Sequence, residues 1–245
     1  MLKFIPIKTR PFLPPKDDIY DLLENYLPAL QNGDILLITS KILAIHQGRC
    51  KPVRARKEKD ALIKEEADWY LPRTSVPHGY AILTIKQNTL LGSAGIDESN
   101  ANNHMILWPT RISALLKKIA RHLKKKHHIK ELGIIATDSH SIPLRFGTVG
   151  ISIGSYGIEP LHDYRGSKDI FGRTLKSTQG NIADALAAAG VLLMGEGNEQ
   201  VPCVIIRNAS FVSFNTNSRA HTKLLVPLKE DLYFPLFKNF KKGKK

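Results

Sequence analysis

Cysteine is scarce in this sequence, which has only Cys50 and Cys203 among its 245 residues. Two cysteines so far apart in the chain provide neither a disulfide framework nor a zinc cluster. Apolar runs of the roughly 20 residues that a membrane-spanning helix needs are also lacking. The first residues, MLKFIPIKTRP, lack the apolar stretch of a signal peptide. These absences favour a cytoplasmic protein without a membrane segment.

The common nucleotide and hydrolase motifs are missing as well. The sequence has no G-x-x-x-x-G-K-[ST] loop, and the glycines of residues 147–157 do not have G-x-G-x-x-G spacing. Neither G-x-S-x-G nor H-E-x-x-H occurs. A nucleotide or metal site in this chain must therefore be built from residues outside these motifs.

Acidic residues are outnumbered by basic ones, 22 against 36, which gives a formal net charge of +14. Such a charge attracts anions, among them nucleic acid and polyanionic small molecules. Much of it lies in residues 51–59, 117–130 and 238–245. The middle run has apolar residues at helical spacing, which predicts an amphipathic helix with a basic solvent face. No RNA-binding or zinc-finger motif accompanies it, so nucleic-acid binding is a minor alternative.

The C-terminal residues 239–245 are rich in lysine and poor in apolar side chains. Such an end has little surface with which to dock, so we expect a mobile basic tail. The remaining residues, 1–238, are expected to form a single catalytic domain, either undivided or built from two subdomains.

The hydrophobic pattern predicts an α+β fold with mixed sheets and packed helices. Helices are expected over residues 19–30 and 58–70, in the basic run, and over ADALAAAGVLLM, which is apolar almost all round and should be buried. Strands are expected in GDILLIT, ELGIIATDSH and VPCVIIRNASFVSF, with a hairpin around Gln87 and Asn88. Strands and helices do not alternate strictly, which argues against a doubly wound sheet.

Three acidic residues stand at the ends of predicted elements, each next to Gly, Ser or Asn. Asp97 lies in SAGIDESN, Asp138 ends the strand IIATDSH, and Glu196 follows the apolar helix in MGEG. Turn formation alone accounts for such residues, because Asp, Asn, Ser and Gly are common in turns. Carboxylates that converge on one cleft can instead hold Mg²⁺ and a triphosphate, with backbone amides near the glycines facing phosphate oxygens. The local patterns leave both interpretations open.

The chain resembles the coenzyme F420-0:L-glutamate ligase family, also called F420-0:gamma-glutamyl ligases, along nearly its whole length. The matching stretches include IPIKTRPFLPPKDDI, GDILLITSK, SAGIDESN and VPCVIIR. The most specific one is DYRGSKDIFGR, followed by the ADALA helix and MGEG. The resemblance implies the α+β fold of that family and an intertwined homodimer.

The same resemblance implies a set of site residues. The expected metal ligands are Asp97, Asp138, Ser139 and Glu196. Lys41 and Arg145 are expected to steady phosphate or carboxylate oxygens during catalysis. The expected nucleotide contacts are Arg10, Pro11, Phe12, Leu13, Ser40, Lys41, Asn100, Met194, Gly195, Glu196, Gly197, Asn198, Glu199, Gln200 and Val201.

The implied activity is the addition of L-glutamate to an acceptor carboxylate, driven by GTP with Mg²⁺ or Mn²⁺. Two divalent ions are expected, with K⁺ as a further candidate. A carboxylate needs activation before an amine can attack it, and phosphorylation by GTP to an acyl phosphate supplies that activation. The expected acceptor is F420-0 or a related compound, with folate as the alternative. An alternative of another class is a protein that binds nucleotide or nucleic acid without catalysis.

The chain departs from the family's pattern near two of these motifs. Ile45 and Gln47 stand where members often carry Lys and Glu, and the lost Lys is an expected nucleotide contact. Ser141 and Ile142 replace a common Gly-Arg pair, which removes one contact to an anion. The expected metal ligands are intact, so we expect an active metal and nucleotide site with an altered acceptor side.

Overall fold

The secondary structure follows the hydrophobic pattern over most of the chain. The computed structural model describes residues 1–53 and 55–244, so Lys245 of the predicted tail lies outside the described residues. The strands within these ranges are β1 (Lys3–Ile7), β2 (Asp34–Thr39), β3 (Cys50–Pro52), β4 (Trp69–Tyr70), β5 (Leu83–Lys86), β6 (Thr89–Gly92), β7 (His104–Ile106), β8 (Leu132–His140), β9 (Val149–Ile158), β10 (Leu161–Asp163), β11 (Gln179–Asn181), β12 (Cys203–Arg207), β13 (Phe214–Asn215) and β14 (Lys241–Lys242). The α-helices are α1 (Ile19–Tyr26), α2 (Ser40–His46), α3 (Arg56–Glu66), α4 (Ile112–His127) and α5 (Ile182–Met194).

A six-stranded mixed sheet forms the centre of the molecule, in the order β1-β12-β2-β8-β9-β13. β2 and β8 run parallel, and the other neighbours in this sheet are antiparallel. Ile35, Leu36, Leu37 and Ile38 of β2 are all fully buried, so the strand is apolar on both faces. A strand of this kind needs cover on both sides of the sheet, and the helices provide it.

Helices α1, α2 and α4 share a core with one face of the sheet, and α5 packs on the other face. Leu116 and Ile119 of α4 belong to the same buried cluster as Ile134 of β8. Leu186 of α5 is buried with Ile135, whose side chain points to the opposite face. This arrangement confirms the predicted α+β fold with mixed sheets and packed helices. Among the described residues, none of the helices has the length and apolar character needed to cross a membrane.

A second, four-stranded sheet has its own core, in the order β14-β4-β5-β6. Ile63 of α3 is buried there with Ile82 and Met105. The predicted hairpin is confirmed: β5 pairs with β6, and the turn residues Gln87 and Asn88 have φ values of 48° and 59°. Two positive φ values are what the tight type I′ hairpin turn requires.

Three predicted elements end earlier than expected. α1 ends before Leu27 instead of at residue 30, because Pro28 disfavours a helical backbone at the residue before it. α3 ends at Glu66, and Trp69–Tyr70 form strand β4 instead. The last predicted core strand is divided, because Asn208 has a φ of 62° that breaks the extended run after β12.

Large apolar side chains are exposed at several places, among them the end of α5 and the segment between β10 and β11. The C-terminal end of α5 is less buried than its composition predicts, since Leu192 is 82% exposed. The segment between β10 and β11 carries Ile170 and Phe171, which are 91% and 89% exposed. Adjacent exposed residues of this size are uncommon on a surface that has no partner.

The basic tail is docked, contrary to the expectation of a mobile end. Lys241–Lys242 pair with β4 of the small sheet, and the Gly243 amide donates to the carbonyl oxygen of Asp68 at 2.8 Å. Gly243 is closely enclosed, because a Cβ atom there would lie 1.8 Å from the carbonyl oxygen of Ala67. Backbone hydrogen bonds do not depend on side-chain type, so composition did not reveal this docking.

Deletion of residues 239–245 should destabilise the protein by about 1–3 kcal/mol, because it removes strand pairing and the backbone hydrogen bonds near Gly243. Thermal unfolding should show a decrease in Tm of roughly 2–4 °C for each kcal/mol lost. The matched control is the Lys241→Thr, Lys242→Thr double variant, which keeps the backbone and removes the charge. We expect this control to unfold like the parent protein. Equal Tm values for the truncated and parent proteins would contradict the docking.

Candidate functional site

A cavity of about 340 Å³ opens at the edge of the main sheet where β2 and β8 end. Because these two strands are parallel, the residues that follow them lie side by side at that edge. The loop between α5 and β12 and the turn that contains Asp97 complete the walls. The sequence-predicted residues that line this cavity are Arg10, Pro11, Phe12, Ser40, Lys41, Asp97, Asn100, Asp138, Ser139, Met194, Gly195, Glu196, Gly197, Asn198, Glu199, Gln200 and Val201.

Two sequence-predicted site residues do not line the cavity. The side chain of Leu13 is exposed, and its backbone amide donates to Asp17 Oδ2 at 2.9 Å. Arg145 lies in the exposed loop of residues 141–148 between β8 and β9. Its amide bonds to the carbonyl of Ile142, which turns this part of the loop back on itself. In this structure neither residue is placed to contact a group inside the cavity.

Asp97 is paired with Lys41 across the cavity. The Lys41 Nζ lies 2.7 Å from Asp97 Oδ2, and it donates to the carbonyl and hydroxyl oxygens of Ser99 at 2.9 and 3.0 Å. Burial raises the pKa of Asp97, but the Lys41 ammonium and hydrogen bonds from Ser99 outweigh it and bring the pKa below its ordinary value. Asp97 is therefore an ionised carboxylate whose charge is already compensated by the Lys41 ammonium.

Asp138 is the more deeply placed acid, at the end of β8. Burial raises its pKa to about 6, and the neighbouring charge of Asp97 adds to this rise. Hydrogen bonds from the Ser139 amide, the Trp108 indole and the Ser40 hydroxyl act in the opposite direction. The indole Nε1 of Trp108 donates directly to Asp138 Oδ2. A carboxyl group with this pKa is stabilised as an anion whenever a cation lies next to it.

Glu196 holds the third side of the cavity. Its two carboxylate oxygens accept from the hydroxyls of Ser139 and Thr148, each at 3.3 Å. Thr148 stands just before β9, so both ends of the β8–β9 loop contact the same acid. The sequence does not single out Thr148, because its contact with Glu196 joins positions 48 residues apart.

The loop of residues 195–201 is tied to the turn opposite it. Asn100 Nδ2 donates to the carbonyl oxygen of Gly197 at 2.7 Å, which links the two walls. Within the loop, the Gly197 amide donates to Glu199 Oε2 at 2.9 Å. Gly195 has a φ of 76°, and a Cβ atom there would lie 2.2 Å from the carboxyl carbon of Glu199. The loop thus needs glycine at position 195 so that its backbone can pass close to the Glu199 carboxylate.

Arg10 is engaged by two acids of the chain. Its guanidinium donates to Asp17 at 2.5 and 2.9 Å and to Asp21 at 3.1 Å. The hydrogen bond from Arg10 lowers the pKa of Asp17 to about 2. An anion that binds beside Arg10 therefore meets a cation whose charge is partly compensated.

Trp108 is the main residue of the site that the sequence interpretation missed. It is 2% exposed, and its ring lies against Gly95, where a Cβ atom would be 2.2 Å from the indole Nε1. From the other side, Arg49 Nε donates to the Trp108 carbonyl at 3.1 Å, and Arg49 pairs with Glu66 at 2.7 Å. The sequence feature related to Trp108 is Gly95 of SAGIDESN. Its importance can be recognised only once the structure shows the Trp108 ring packed against it.

The donor set suits a hard divalent cation. Carboxylate and hydroxyl oxygens are the ligands that Mg²⁺ and Mn²⁺ prefer. Among the described residues, no three His, Cys, Asp or Glu side chains already stand together as a cluster that could hold a metal ion. The observation that favours a cation is the pairing of Asp97 with the Lys41 ammonium, beside an Asp138 whose ionisation is opposed by burial. The carboxylates of Asp97, Asp138 and Glu196 and the hydroxyl of Ser139 would be the oxygen donors available to such a cation.

Comparisons with known proteins agree on one family. Residues 7–208 match the family described as F420-0:Gamma-glutamyl ligase. A relative from Methanocaldococcus jannaschii named coenzyme F420:L-glutamate ligase is 30% identical over 229 residues, which cover 88% of this chain and 90% of the relative. Relatives with the same name from Methanosarcina mazei and Methanothermobacter thermautotrophicus are 35% and 31% identical. These alignments cover 74% and 84% of this chain, and 76% and 88% of the relatives.

Replacing Gly95 by Ala should lower the free energy of unfolding by about 2–5 kcal/mol, since the residue has a positive φ and its new Cβ would collide with the Trp108 ring. Gly92→Ala is the matched control, because its φ is −76° and its Cβ would meet Ala81 at an ordinary 3.7 Å. We expect the control to change stability by less than about 0.5 kcal/mol. Urea unfolding of both variants checks this, and equal effects would show that the indole is not held by Gly95.

Proposed function

The chain belongs to the F420-0:Gamma-glutamyl ligase family, and we propose that it is a ligase that uses GTP and a divalent metal to join L-glutamate to an acceptor carboxylate. The observation that carries this proposal is the single cavity lined by Asp97, by Asp138 and by the glycine-containing loop that includes Glu196. Asp97 is already paired with the Lys41 ammonium there, and burial opposes the ionisation of Asp138, so both acids would gain from a bound cation.

The chemistry requires two steps. In the first, an oxygen of the acceptor carboxylate attacks the γ-phosphorus of GTP, and GDP leaves with the electrons of the broken P–O bond. In the second, the neutral amine of L-glutamate attacks the acyl carbon, phosphate leaves, and the amine loses a proton. The acyl phosphate supplies a good leaving group that a free carboxylate lacks. Catalysis of such a transfer consists mostly of positioning the reactants and stabilising charge.

The proposed metal ligands are Asp97, Asp138, Ser139 and Glu196, which hold one or two Mg²⁺ or Mn²⁺ ions, with K⁺ as a further candidate. Such ions neutralise charge on the phosphate oxygens. The chain's own contribution is to fix the ligands. The Trp108 indole and the Ser139 amide orient Asp138, and the hydroxyls of Ser139 and Thr148 orient Glu196.

Lys41 has a second partner available in the proposed complex. In this structure its ammonium compensates Asp97 at 2.7 Å. If Asp97 held a divalent ion, the Lys41 ammonium would be free to pair with a phosphate oxygen, which Lys binds as a point charge. The resemblance also assigns the nucleotide to Arg10–Leu13, Ser40, Asn100 and the 194–201 loop. All of these except Leu13 line the cavity, which supports that assignment.

The proposed acceptor is F420-0 or a closely related compound, because the family and the relatives carry that name. Folate remains the alternative because of the departures from the family's pattern. Ile45 is buried and lines the cavity, so it offers an apolar wall where members often carry Lys. Gln47 is used structurally, since its amide group makes hydrogen bonds of 2.8 Å to both backbone groups of Thr110. Ser141 and Ile142 lie in the exposed loop after β8.

We also propose that the protein works as a homodimer. The exposed Ile170 and Phe171 lie in the segment between β10 and β11, away from the six-stranded sheet's core clusters. Exposed Leu192 at the end of α5 is a second apolar surface beside the 194–201 loop. Burial of such residues against a second copy removes apolar area from water, which is the usual source of dimer stability.

A thermal-shift experiment separates the ligase from a protein that binds nucleotide or nucleic acid without catalysis. GTP with Mn²⁺ should raise Tm, since a ligand at 100 times its Kd stabilises by about 2.7 kcal/mol. GTP or Mn²⁺ alone should have a much smaller effect, because each lacks the charge that the other supplies. Stabilisation by RNA alone would favour the non-catalytic alternative.

The variant Asp138→Asn tests the metal role without disturbing the indole, because the Asn Oδ1 can still accept from Trp108. We expect it to lower turnover at least about 100-fold, since a ligand charge at the transferring phosphate is worth several kcal/mol. Without metal the variant's stability should stay within about 1–3 kcal/mol of the parent's, because the lower cost of burying a neutral amide is offset by the lost acceptor for the Ser139 amide. Glu24→Gln, an exposed change distant from the cavity, serves as the control. Parental turnover in Asp138→Asn would exclude Asp138 as a ligand.

The acceptor is identified by offering GTP, Mn²⁺ and L-glutamate with either F420-0 or tetrahydrofolate. We expect a mass increase of one or more glutamyl units on F420-0. Mass spectrometry of each mixture provides the measurement, and omission of GTP provides the control. A product from folate alone would reverse the order of the two acceptors, and no product from either would contradict the ligase.

A further inference from the structure

A second cavity, of about 530 Å³, lies at the edge of the main sheet along β9. β13 pairs with only the last part of β9, at Gly157 and Ile158, so among the described residues the earlier part of β9 has no strand on the side away from β8. The β5–β6 turn, the start of α4 and the 3₁₀-helix of residues 220–224 form the other walls. Nothing in the proposed metal and nucleotide site uses this cavity.

The two cavities share Trp108 as a wall. Strand β8 also serves both, since Asp138 lines the first cavity and His140 lines the second. Residues two apart on a strand point to the same face of a sheet. A molecule in the second cavity therefore lies next to the acids that are proposed to hold the metal and the γ-phosphate.

The inner wall of the second cavity carries one acid and two imidazoles. His221 is 8% exposed, and its Nδ1 lies 3.3 Å from Ser155 Oγ. Burial lowers the pKa of His221, and the charge of Asp184 acts in the opposite direction. His140 Nδ1 is buried, and it has no hydrogen-bond partner among the described residues. Asp184 is held by the Ser152 amide at 2.8 Å, so its position at the cavity is fixed.

The cavity also carries a cation, Arg111. The residue is exposed at the start of α4, and its side chain makes no hydrogen bond or ion pair with the part of the chain that the structure describes. Its backbone has a φ of 47°, an uncommon value for a residue with a side chain. Gln47 fixes the preceding residue, Thr110, by two hydrogen bonds of 2.8 Å. The guanidinium is thus attached to a well-fixed backbone and has no partner among the residues that the structure describes.

We propose that this cavity binds the amino-acid substrate, L-glutamate, with a carboxylate on Arg111 and the amino group on the side of Asp184 and the imidazoles. The assignment rests on the proposed function, since it places a substrate of that reaction. A free guanidinium and a fixed carboxylate in one cavity match a zwitterion. Leu90, Ile112 and Ile153 offer apolar walls for the methylene groups.

The position of the cavity explains how the amine reaches its target. The acyl phosphate must form beside Asp97 and Asp138, and the amine must attack it from a neighbouring site. Trp108 lines both cavities and so lies where they adjoin, and His140 lines the second cavity two residues along β8 from Asp138. The acceptor is a poorer fit, because a polyanion such as F420-0 would meet the negative charge of Asp184 inside the cavity.

The test is direct binding of L-glutamate to the whole protein by isothermal titration calorimetry, without turnover. Arg111→Gln should weaken binding at least about tenfold, because it removes a charged, bidentate partner. The matched control is Arg121→Gln, an exposed arginine on α4 that does not line the cavity. It should leave the affinity within about twofold. Glutarate, which lacks the amino group, should bind more weakly than L-glutamate to the parent protein.

The outcomes separate this inference from the proposed function. If Arg111→Gln weakens L-glutamate binding while no acceptor is ever glutamylated, the cavity assignment stands and the ligase proposal fails. If the parent protein forms product but Arg111→Gln leaves the Kd and KM for L-glutamate unchanged, the assignment is overturned. A raised KM for the acceptor alone also overturns it, since the cavity would then hold the acceptor. The thermal shift by GTP with Mn²⁺ should stay parental in Arg111→Gln, which shows that the variant is folded.

Discussion

The parallel pairing of β2 with β8 is the constraint on which the rest of the site depends. It sets Thr39 opposite Thr137, so the residues that follow, Ser40 and Asp138, lie side by side where β2 ends. β12 pairs with β2 in the opposite direction and begins at that edge, which brings the 194–201 loop to the same place. One register among three strands therefore gathers segments that are about 60 to 160 positions apart in the chain. A slip by one residue would turn every one of these side chains to the other face.

The electrostatics of the site follow from this convergence. Carboxylates brought together in a half-buried cavity oppose one another's ionisation. The Lys41 ammonium offsets this by pairing with Asp97, and the Trp108 indole does so by donating a hydrogen bond to Asp138. Neither partner supplies a divalent charge. The arrangement is therefore stable without metal but leaves Asp138 with a pKa of about 6, close to the pH at which proteins work. Such a group gains more from a bound cation than an exposed Asp does.

Much of the fold could be predicted from the sequence, because helix and strand periods are local signals. The hairpin at Gln87 and the basic helix α4 have the predicted form. The acids at element ends were also recognisable, since their neighbours are turn residues. Trp108, Thr148 and the docked tail could not be predicted, because each depends on a contact with a distant segment. The backbone pairing of the tail and the close packing of Trp108 against Gly95 cannot be recognised from amino-acid composition.

The short helix α2 connects a residue of the first cavity to the backbone that carries Arg111 of the second. Lys41 lies near the start of α2 and lines the first cavity. Gln47 lies just past the end of α2 and makes two hydrogen bonds to the backbone of Thr110, the residue before Arg111. A helix of this length spans about 10 Å, and each residue turns it by about 100°. An added or deleted residue would rotate Gln47 away from Thr110 while leaving Lys41 in place. The number of residues in α2 therefore determines both how far Gln47 lies from Lys41 and the direction in which its side chain points.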